Sequence, residues 1–351
     1  MKTLHKACLR LCLLALAMTQ PMATMGQGRE LLRRPHYGGN EQRVLDTQGW
    51  VMFDQIKKSL KANPPCDRNA SEPRRLALLN LDALLHNYHY DKSLSLNDFI
   101  ATQVSSVVDA LNHPATDGAL EVYKVYNDGF VVRSASTCIA FDLCGREGKM
   151  VPDSLMQRIA GHCDALFISH VHTDHADTSI VRAFVTAGKP VVAPAALFPG
   201  VKKITHIKDN GQTESGKLKL GKRHVSYIVL PGHQNETATT WVQCDHNVVT
   251  FPEGFTVAHI GDQAHSQDMP WIKKAWQSVS PVDILFSTAW MGKPENTVNG
   301  YKPRTVMTGH ENEMGHTING RVPFWFAYHN YRNVSCPVII MGWGEKYVYR
   351  R

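Results

Sequence analysis

The run His170-Val171-His172-Thr173-Asp174-His175 places three imidazoles and one carboxylate within six residues. Imidazole nitrogens and carboxylate oxygens are the donors that hold zinc, manganese or iron. Two apart on extended backbone, His170 and His172 project to the same side. Asp174 and His175, adjacent at a turn, can diverge toward two neighbouring metal positions. A solvated turn would account for one histidine pair, but not for this density. Three more candidates follow strand-like segments: His233 after Leu230-Pro231-Gly232, Asp262 after His259-Ile260-Gly261, and His310 after Thr308-Gly309. Each alone reads as hydrogen-bonded structure at a strand end. As a set they read as a metal centre assembled from several loops.

Such loops need elements to position them. Ala165-Leu166-Phe167-Ile168-Ser169 reads as a short buried strand leading into the histidine run. Apolar residues Ile180, Val181, Phe184 and Val185 then give helical spacing over 178–187, ending at Gly188. Alternating apolar residues over 121–125 and 130–134, joined by Asn127-Asp128-Gly129, predict a β-hairpin. A third strand is expected over 137–143 and a helix around 156–159. Further strands are expected at 190–193, 225–230, 239–244, 255–260, 284–288, 304–308 and 338–349. The Gly- and Pro-punctuated stretch 289–303 reads as a loop. Strands first, then strand–helix alternation, then strands again suit an α/β four-layer sandwich better than a doubly wound parallel sheet.

The N-terminal third differs. Over residues 27–118, Trp50, Val51, Phe53, Ile56 and Leu60 have helical spacing, as do Leu76, Leu79, Leu81, Leu84 and Leu85. A third helix is expected from Leu94 through Phe99, Ile100, Val104, Val107, Val108 and Leu111. This small helical region holds no cluster of chemically active residues, so packing, capping the site or contacting substrate is its expected role. Residues 1–26 read as a signal peptide. Lys2, Lys6 and Arg10 precede an apolar 11–18 too short to span a bilayer, and Thr24 and Gly26 offer small residues for cleavage. The expectation is an exported, periplasmic or secreted protein with no stable transmembrane segment after cleavage.

The chain has 351 residues with a formal net charge of +7, and the leader holds three cations and no acid, so cleavage leaves about +4. That mild excess, without a basic block, makes no case for nucleic acid. Six of the eight cysteines lie beyond the leader and form no CxxC pair, which argues against a zinc ribbon. They read mostly as small buried residues, with room for one or two bridges. Asn235-Glu236-Thr237 is a formal glycosylation triplet two residues from His233. A glycan there would obstruct the site, which favours a bacterial host.

With these residues in this order, residues 119–351 resemble the metallo-β-lactamase-fold hydrolase superfamily, whose HxHxDH signature is fully present. The resemblance implies the four-layer αββα sandwich of that family, behind the helical N-terminal region. It implies that His170, His172 and His233 hold one divalent metal and that Asp174, His175 and His310 hold a second, with Asp262 bridging. Zinc is foremost, and manganese or iron suits the same donors. The implied activity is hydrolysis of a phosphodiester or an ester or lactone in a small-molecule or lipid substrate, through a hydroxide shared between two metals. Asp174 would orient that hydroxide, and loss of Asp262 would separate the two metals.

Asp262 where a Cys would mark one class of true β-lactamase, and His172 where di-iron oxygen reductases carry Glu, narrow the resemblance. With Thr239-Thr240-Trp241, they leave it most similar to the ascorbate-6-phosphate lactonase and N-acylphosphatidylethanolamine phospholipase D-like branch. The closing Gly342-Trp343-Gly344-Glu345 is similar to the superfamily's terminal strand turn. The run from His310 to His316 is richer than that pattern. His316 is a candidate proton donor to the leaving group, an alternative ligand or a surface residue. His265 is a candidate supporting residue, and Trp241 and Trp290 are candidate pocket walls. The competing class is a protein of the same fold that binds metal without turnover.

Overall fold

The computed structural model describes residues 41–351 apart from Ala238 and Ser280, so the expected leader lies outside the described residues. Three helices come first: α1 (Glu41–Ala62), α2 (Glu72–Leu85) and α3 (Leu94–Leu111). The side chains of Ser71 and Ser93 cap α2 and α3 by accepting from Arg74 N and Leu96 N. No helix among the described residues is long and apolar enough to cross a membrane.

Sixteen strands follow among the described residues, fourteen of them in two seven-stranded sheets. The first sheet runs β16 (Lys346–Tyr349), β1 (Leu120–Tyr126), β2 (Gly129–Arg133), β3 (Cys138–Phe141), β4 (Ala165–Phe167), β5 (Val191–Pro194), β6 (Ile204–Ile207). The second runs β15 (Val338–Ile340), β14 (Thr305–Gly309), β13 (Ile284–Thr288), β12 (Thr256–His259), β11 (His246–Thr250), β8 (Arg223–Leu230), β7 (Glu214–Leu220). Each sheet has three antiparallel pairings on one side and three parallel ones on the other. A short hairpin of β9 (His233–Asn235) and β10 (Trp241–Gln243) stands apart.

Alternation along each strand decides the layers. Val122, Phe130, Ile139 and Phe167 of one sheet share a core with Val225, Val249, Val257, Phe286 and Met307 of the other. Their neighbours Tyr123, Val131 and Ala140 face the other way and join the helices. Phe130 and Phe286 stack across the sheets with centroids 4.1 Å apart. On the outer faces lie α4 (Asp153–His162) and α5 (Thr178–Thr186), then α6 (Met269–Ile272), α7 (Pro294–Tyr301) and α8 (Phe324–Asn330). The result is an α/β sandwich of two seven-stranded sheets with helices outside them, the layering expected from the sequence.

Three expectations about elements need correction. Residues 294–301 are helical, not a loop. Pro294 occupies the first turn, where its missing N–H costs nothing, and Lys302 closes the helix at φ +50°. Gly300 serves close packing, since a Cβ there would meet the Ile272 carbonyl oxygen at 2.0 Å. The single strand expected over 338–349 is two, split by Gly342-Trp343-Gly344-Glu345 so that β15 and β16 join different sheets. β6, β7, β9 and β11 went unanticipated. β7, sequence Glu214-Ser215-Gly216-Lys217-Leu218-Lys219-Leu220, is an edge strand whose lysines disguise its pattern.

The N-terminal helices dock by buried charge and by close backbone approach. Arg74 donates to Glu345 (2.9 and 2.5 Å) and to the Ile340 carbonyl (2.7 Å). Gln103 and Ser106 of α3 donate to the carbonyls of Trp343 and Gly344. All six described cysteines are free thiols, four of them buried, with Cys138 and Cys163 sulfurs 3.8 Å apart.

Candidate metal centre

Of the predicted residues, His170, Asp174, His175, Asp262 and His310 converge on segments that follow strands, together with Asp142, which was not predicted. Asp142 follows β3, His170 lies three residues beyond β4, Asp262 lies three beyond β12, and His310 follows β14 directly. Asp177 accepts from Ser179 N and Ile180 N, capping α5 and fixing where the histidine run ends. His310 has φ +64° and Asn312 φ +54°, so the loop after β14 turns sharply enough to present His310 inward.

The tightest group is Asp174, His175, Asp262 and His310. His310 Nε2 lies 3.2 Å from Asp174 Oδ2 and 3.3 Å from Asp262 Oδ2. His175 Nε2 lies 3.6 Å from Asp174 Oδ2 and 3.5 Å from Asp262 Oδ1. His170 adjoins them, its Nε2 4.0 Å from Asp262 Oδ2 and its ring 4.1 Å from that of His175. All are buried. His172 and His233 are not drawn into this group. His172, whose ring is 4.7 Å from that of His170, has Nε2 3.5 Å from Glu236. His233 has Nε2 3.4 Å from Asp209 and Nδ1 3.2 Å from Asp268. The three histidines assigned to the first metal are therefore less gathered than the residues assigned to the second.

Buried polar atoms normally find partners. Here His170 Nε2, His175 Nε2 and Asp262 Oδ1 are buried without a hydrogen bond, and all three belong to the converging set. Donor atoms of Asp174, His175 and His310 lie within 4.8 Å of one another. Clustered imidazole nitrogens and a carboxylate oxygen that make no hydrogen bond fit divalent metal ions.

The electrostatics agree with that fit. Burial opposes protonation of His175 and His310, yet Asp262 and Asp174 outweigh it and raise both imidazoles well above their usual range. The pocket thus demands positive charge. Burial would raise Asp262, but His310 and His175 hold it well below the ordinary carboxylate range. His170 is the exception, since burial and then His175 push it down to about 3. It stays neutral, with a lone pair free for a metal.

A supporting layer escaped the sequence reading. Asp142 accepts from Ser169 N (2.7 Å) and sits 2.7 Å from His175 Nδ1, so His175 presents Nε2 to the group. Buried His259 lies with Nε2 3.0 Å from the Asp128 carbonyl and stacks on Phe141. Asp128 was read as a turn former, yet it is buried and pushed up to about 6, chiefly by burial. The one legible signal was Asp142, a charged residue closing the apolar run Cys138-Ile139-Ala140-Phe141. Glu313 is a further omission. It accepts from His316 N (2.8 Å) and Tyr126 OH (3.2 Å) and has an oxygen within 4.8 Å of Asp174 and His316 donors.

The remaining candidates rim the mouth. The His316 side chain is 44% exposed, and its ring lies 5.7 Å from that of His310, beyond bonding reach. Trp290 meets His310 edge-on at 6.4 Å, while Trp241 stacks on His265 at 4.8 Å. His265 Nδ1 lies 2.7 Å from Asn235 Oδ1 and so braces the β9–β10 hairpin.

No family model and no curated protein matches the chain. Solved structures similar to it include CmlA, a diiron β-hydroxylase from Streptomyces venezuelae, at 15% identity and TM-score 0.47. That match covers 68% of this chain and 55% of CmlA, so the chain spans about half of that protein. Igni18, a metallo hydrolase from Ignicoccus hospitalis, is similar at 14% identity and TM-score 0.48, covering 66% of this chain and 99% of Igni18. An isothiocyanate hydrolase from Delia radicum gut bacteria is similar at 16% identity and TM-score 0.47, covering 66% of this chain and 100% of that one.

Proposed function

We propose that this chain is an exported, dinuclear metal-dependent hydrolase of phosphodiesters or of esters and lactones. The observation that carries the reading is the cluster of buried ligand atoms that make no hydrogen bond, His170 Nε2, His175 Nε2 and Asp262 Oδ1, beside Asp174 and His310. Asp174, His175, Asp262 and His310 would hold one ion, and His170, His172 and His233 the other, with Asp262 shared. Divalent ions bound there supply Lewis acidity, which acidifies water from a pKa of about 15.7 toward about 7 and polarises an ester or phosphoryl oxygen.

The chain's own residues orient and move protons. Asp174 stays ionised, its carboxyl kept low by His175 and His310 against the effect of burial. Asn127 Nδ2 donates to it at 3.3 Å, fixing the acceptor that aligns an attacking water. Asp142 keeps a proton on His175 Nδ1. Half-exposed His316, with Nε2 4.0 Å from Glu313, would give a proton to the leaving group. Thr239-Thr240-Trp241 on the approach to β10 supports assignment to the lactonase and phospholipase D-like branch.

Elemental analysis paired with a panel of phosphodiesters, lactones and N-acyl phospholipids tests the reading. Asp262→Ala and His170→Ala are each expected to lower metal stoichiometry and turnover together. Full activity in either variant would refute the assignment. A fully metallated wild type inert across the panel would favour the non-catalytic binding protein.

A further inference from the structure

The loop joining β3 to α4 carries a run of left-handed residues near the site. Arg146 (φ +57°), Glu147 (φ +53°) and Gly148 (φ +78°) are consecutive left-handed residues, two of which have a Cβ. Such a conformation persists only where the surroundings impose it. Here Asp177 Oδ2 accepts from Gly145 N (3.0 Å) and Glu147 N (2.9 Å), while the Cys144 sulfur accepts from Arg146 N (3.2 Å). The strain presents one side chain, Arg146, to the mouth of the metal centre.

Arg146 Nη1 donates to Thr173 Oγ1 at 3.2 Å, and Thr173 is the residue before Asp174. Its Nε lies 3.6 Å from Glu313 Oε1. A carboxylate oxygen of that same Glu313 comes within 4.8 Å of donor atoms of Asp174 and His316. Gly315 closes over the guanidinium, and a Cβ there would meet Nη2 at 2.1 Å, so the absence of a side chain admits the arginine. Among the described residues no hydrogen-bond acceptor meets Nη2. The side chain is 22% exposed, so a planar fork braced by Thr173 and Glu313 and flanked by Gly315 is still partly reachable from solvent.

We propose that Arg146 is the specificity-determining residue of this site and selects substrates that carry an anionic oxygen next to the scissile bond, as phosphodiesters do. The proposal rests on the hydrolase reading and decides between its two substrate classes. A guanidinium held by Thr173 and Glu313 has lost its rotamer freedom beforehand, so its charge-assisted bond to a phosphoryl oxygen is made at little entropic cost. A neutral ester or lactone offers no such partner.

The test compares bis(4-nitrophenyl) phosphate with neutral 4-nitrophenyl acetate on the metal-loaded protein, and separately titrates inorganic phosphate by calorimetry. Arg146→Gln keeps the stem and removes the charge, and Arg146→Lys keeps the charge without the fork. The ratio of kcat/KM for phosphodiester over ester is expected to fall about ten-fold or more in Arg146→Gln, with partial recovery in Arg146→Lys. The phosphate Kd should rise by a similar factor. Metal content and Tm identify a variant that has failed to fold, in which case Arg146→Lys carries the comparison. An unchanged ratio with an unchanged phosphate Kd overturns the proposal and leaves Arg146 a structural brace. If the wild type hydrolyses neither probe, the hydrolase reading fails, while the phosphate titration still judges Arg146.

Discussion

Asp82 offers a quantitative check on how the helical region supports the site. It lies on α2, yet its carboxylate accepts from Phe324 N (2.7 Å), Trp325 N (3.0 Å) and Asn312 Nδ2 (2.9 Å). Pro323 gives α8 no side-chain cap, so Asp82 caps that helix from across the fold and ties down the residue two beyond His310. Burial raises its carboxyl from 3.8 to about 6 against the pull of those three donors. The folded state therefore binds this proton more tightly than the unfolded chain. This group's stabilisation is therefore fully present below the unfolded value of 3.8 and is lost as pH rises through about 6. Linkage over that interval gives about 1.3 kcal/mol more stability at pH 5 than at pH 7, toward a limit of about 3 kcal/mol in stronger acid. Asp82→Asn cannot titrate. Urea unfolding of both proteins, followed by tryptophan fluorescence from pH 5 to pH 8, isolates the effect, because other groups cancel in the difference. The gap between wild type and variant should change by about 1.3 kcal/mol between pH 7 and pH 5, wild type gaining in acid. A gap constant to within about 0.3 kcal/mol would refute the burial argument.

Two further outcomes bear on the metals and on the docking of the helices. Chelator competition should resolve two classes of bound metal. The looser class is the one assigned to His170, His172 and His233, because His172 and His233 must first leave Glu236 and Asp209; a single uniform class would contradict this. Gly344→Ala should destabilise by about 2–4 kcal/mol, since φ is +74° and the added Cβ would sit 1.9 Å from the Gln103 carbonyl oxygen. A Tm within a degree of wild type would mean that α3 does not rest on this turn.

Residues whose type carries their chemistry were legible in the sequence. Six residues of unusual composition announced the His170–His175 turn, and the order of His233, Asp262 and His310 implied strands beneath them. The sandwich followed because buried strands carry an apolar alternation that survives without context. What stayed hidden depends on distance. Asp82 sits 230 residues from Asn312 in sequence, and its helix shows only ordinary amphipathic spacing. Asp128 obeys the hairpin rule and buries its carboxylate beside His259 as well, so one correct local reading masked a second role. Arg146 is part of no motif, and the strain that aims it comes from Asp177, on the far side of the histidine run.

The position of His310 is over-determined for the same reason. Its loop follows a buried strand, and Lys124 lies fully buried beneath it, donating to Glu311 and to the Thr308 carbonyl (3.1 Å). Glu311 in turn accepts from Thr308 Oγ1. A buried ion pair rarely adds much net stability, because desolvation consumes the attraction, but breaking one leaves an uncompensated charge. The pair therefore acts as a constraint: any displacement of the His310 loop separates Lys124 from Glu311 and is penalised steeply. Asp82 holds Asn312 from one side, Tyr126 OH holds Glu313 and receives Met314 N from the other, and Arg321 joins Leu85 O and Asp91 farther along. A left-handed histidine is tolerated because the residues after it are tied to β1 and to α2. The N-terminal helices are thus part of the machinery that keeps one proposed ligand in place, although they contribute none themselves.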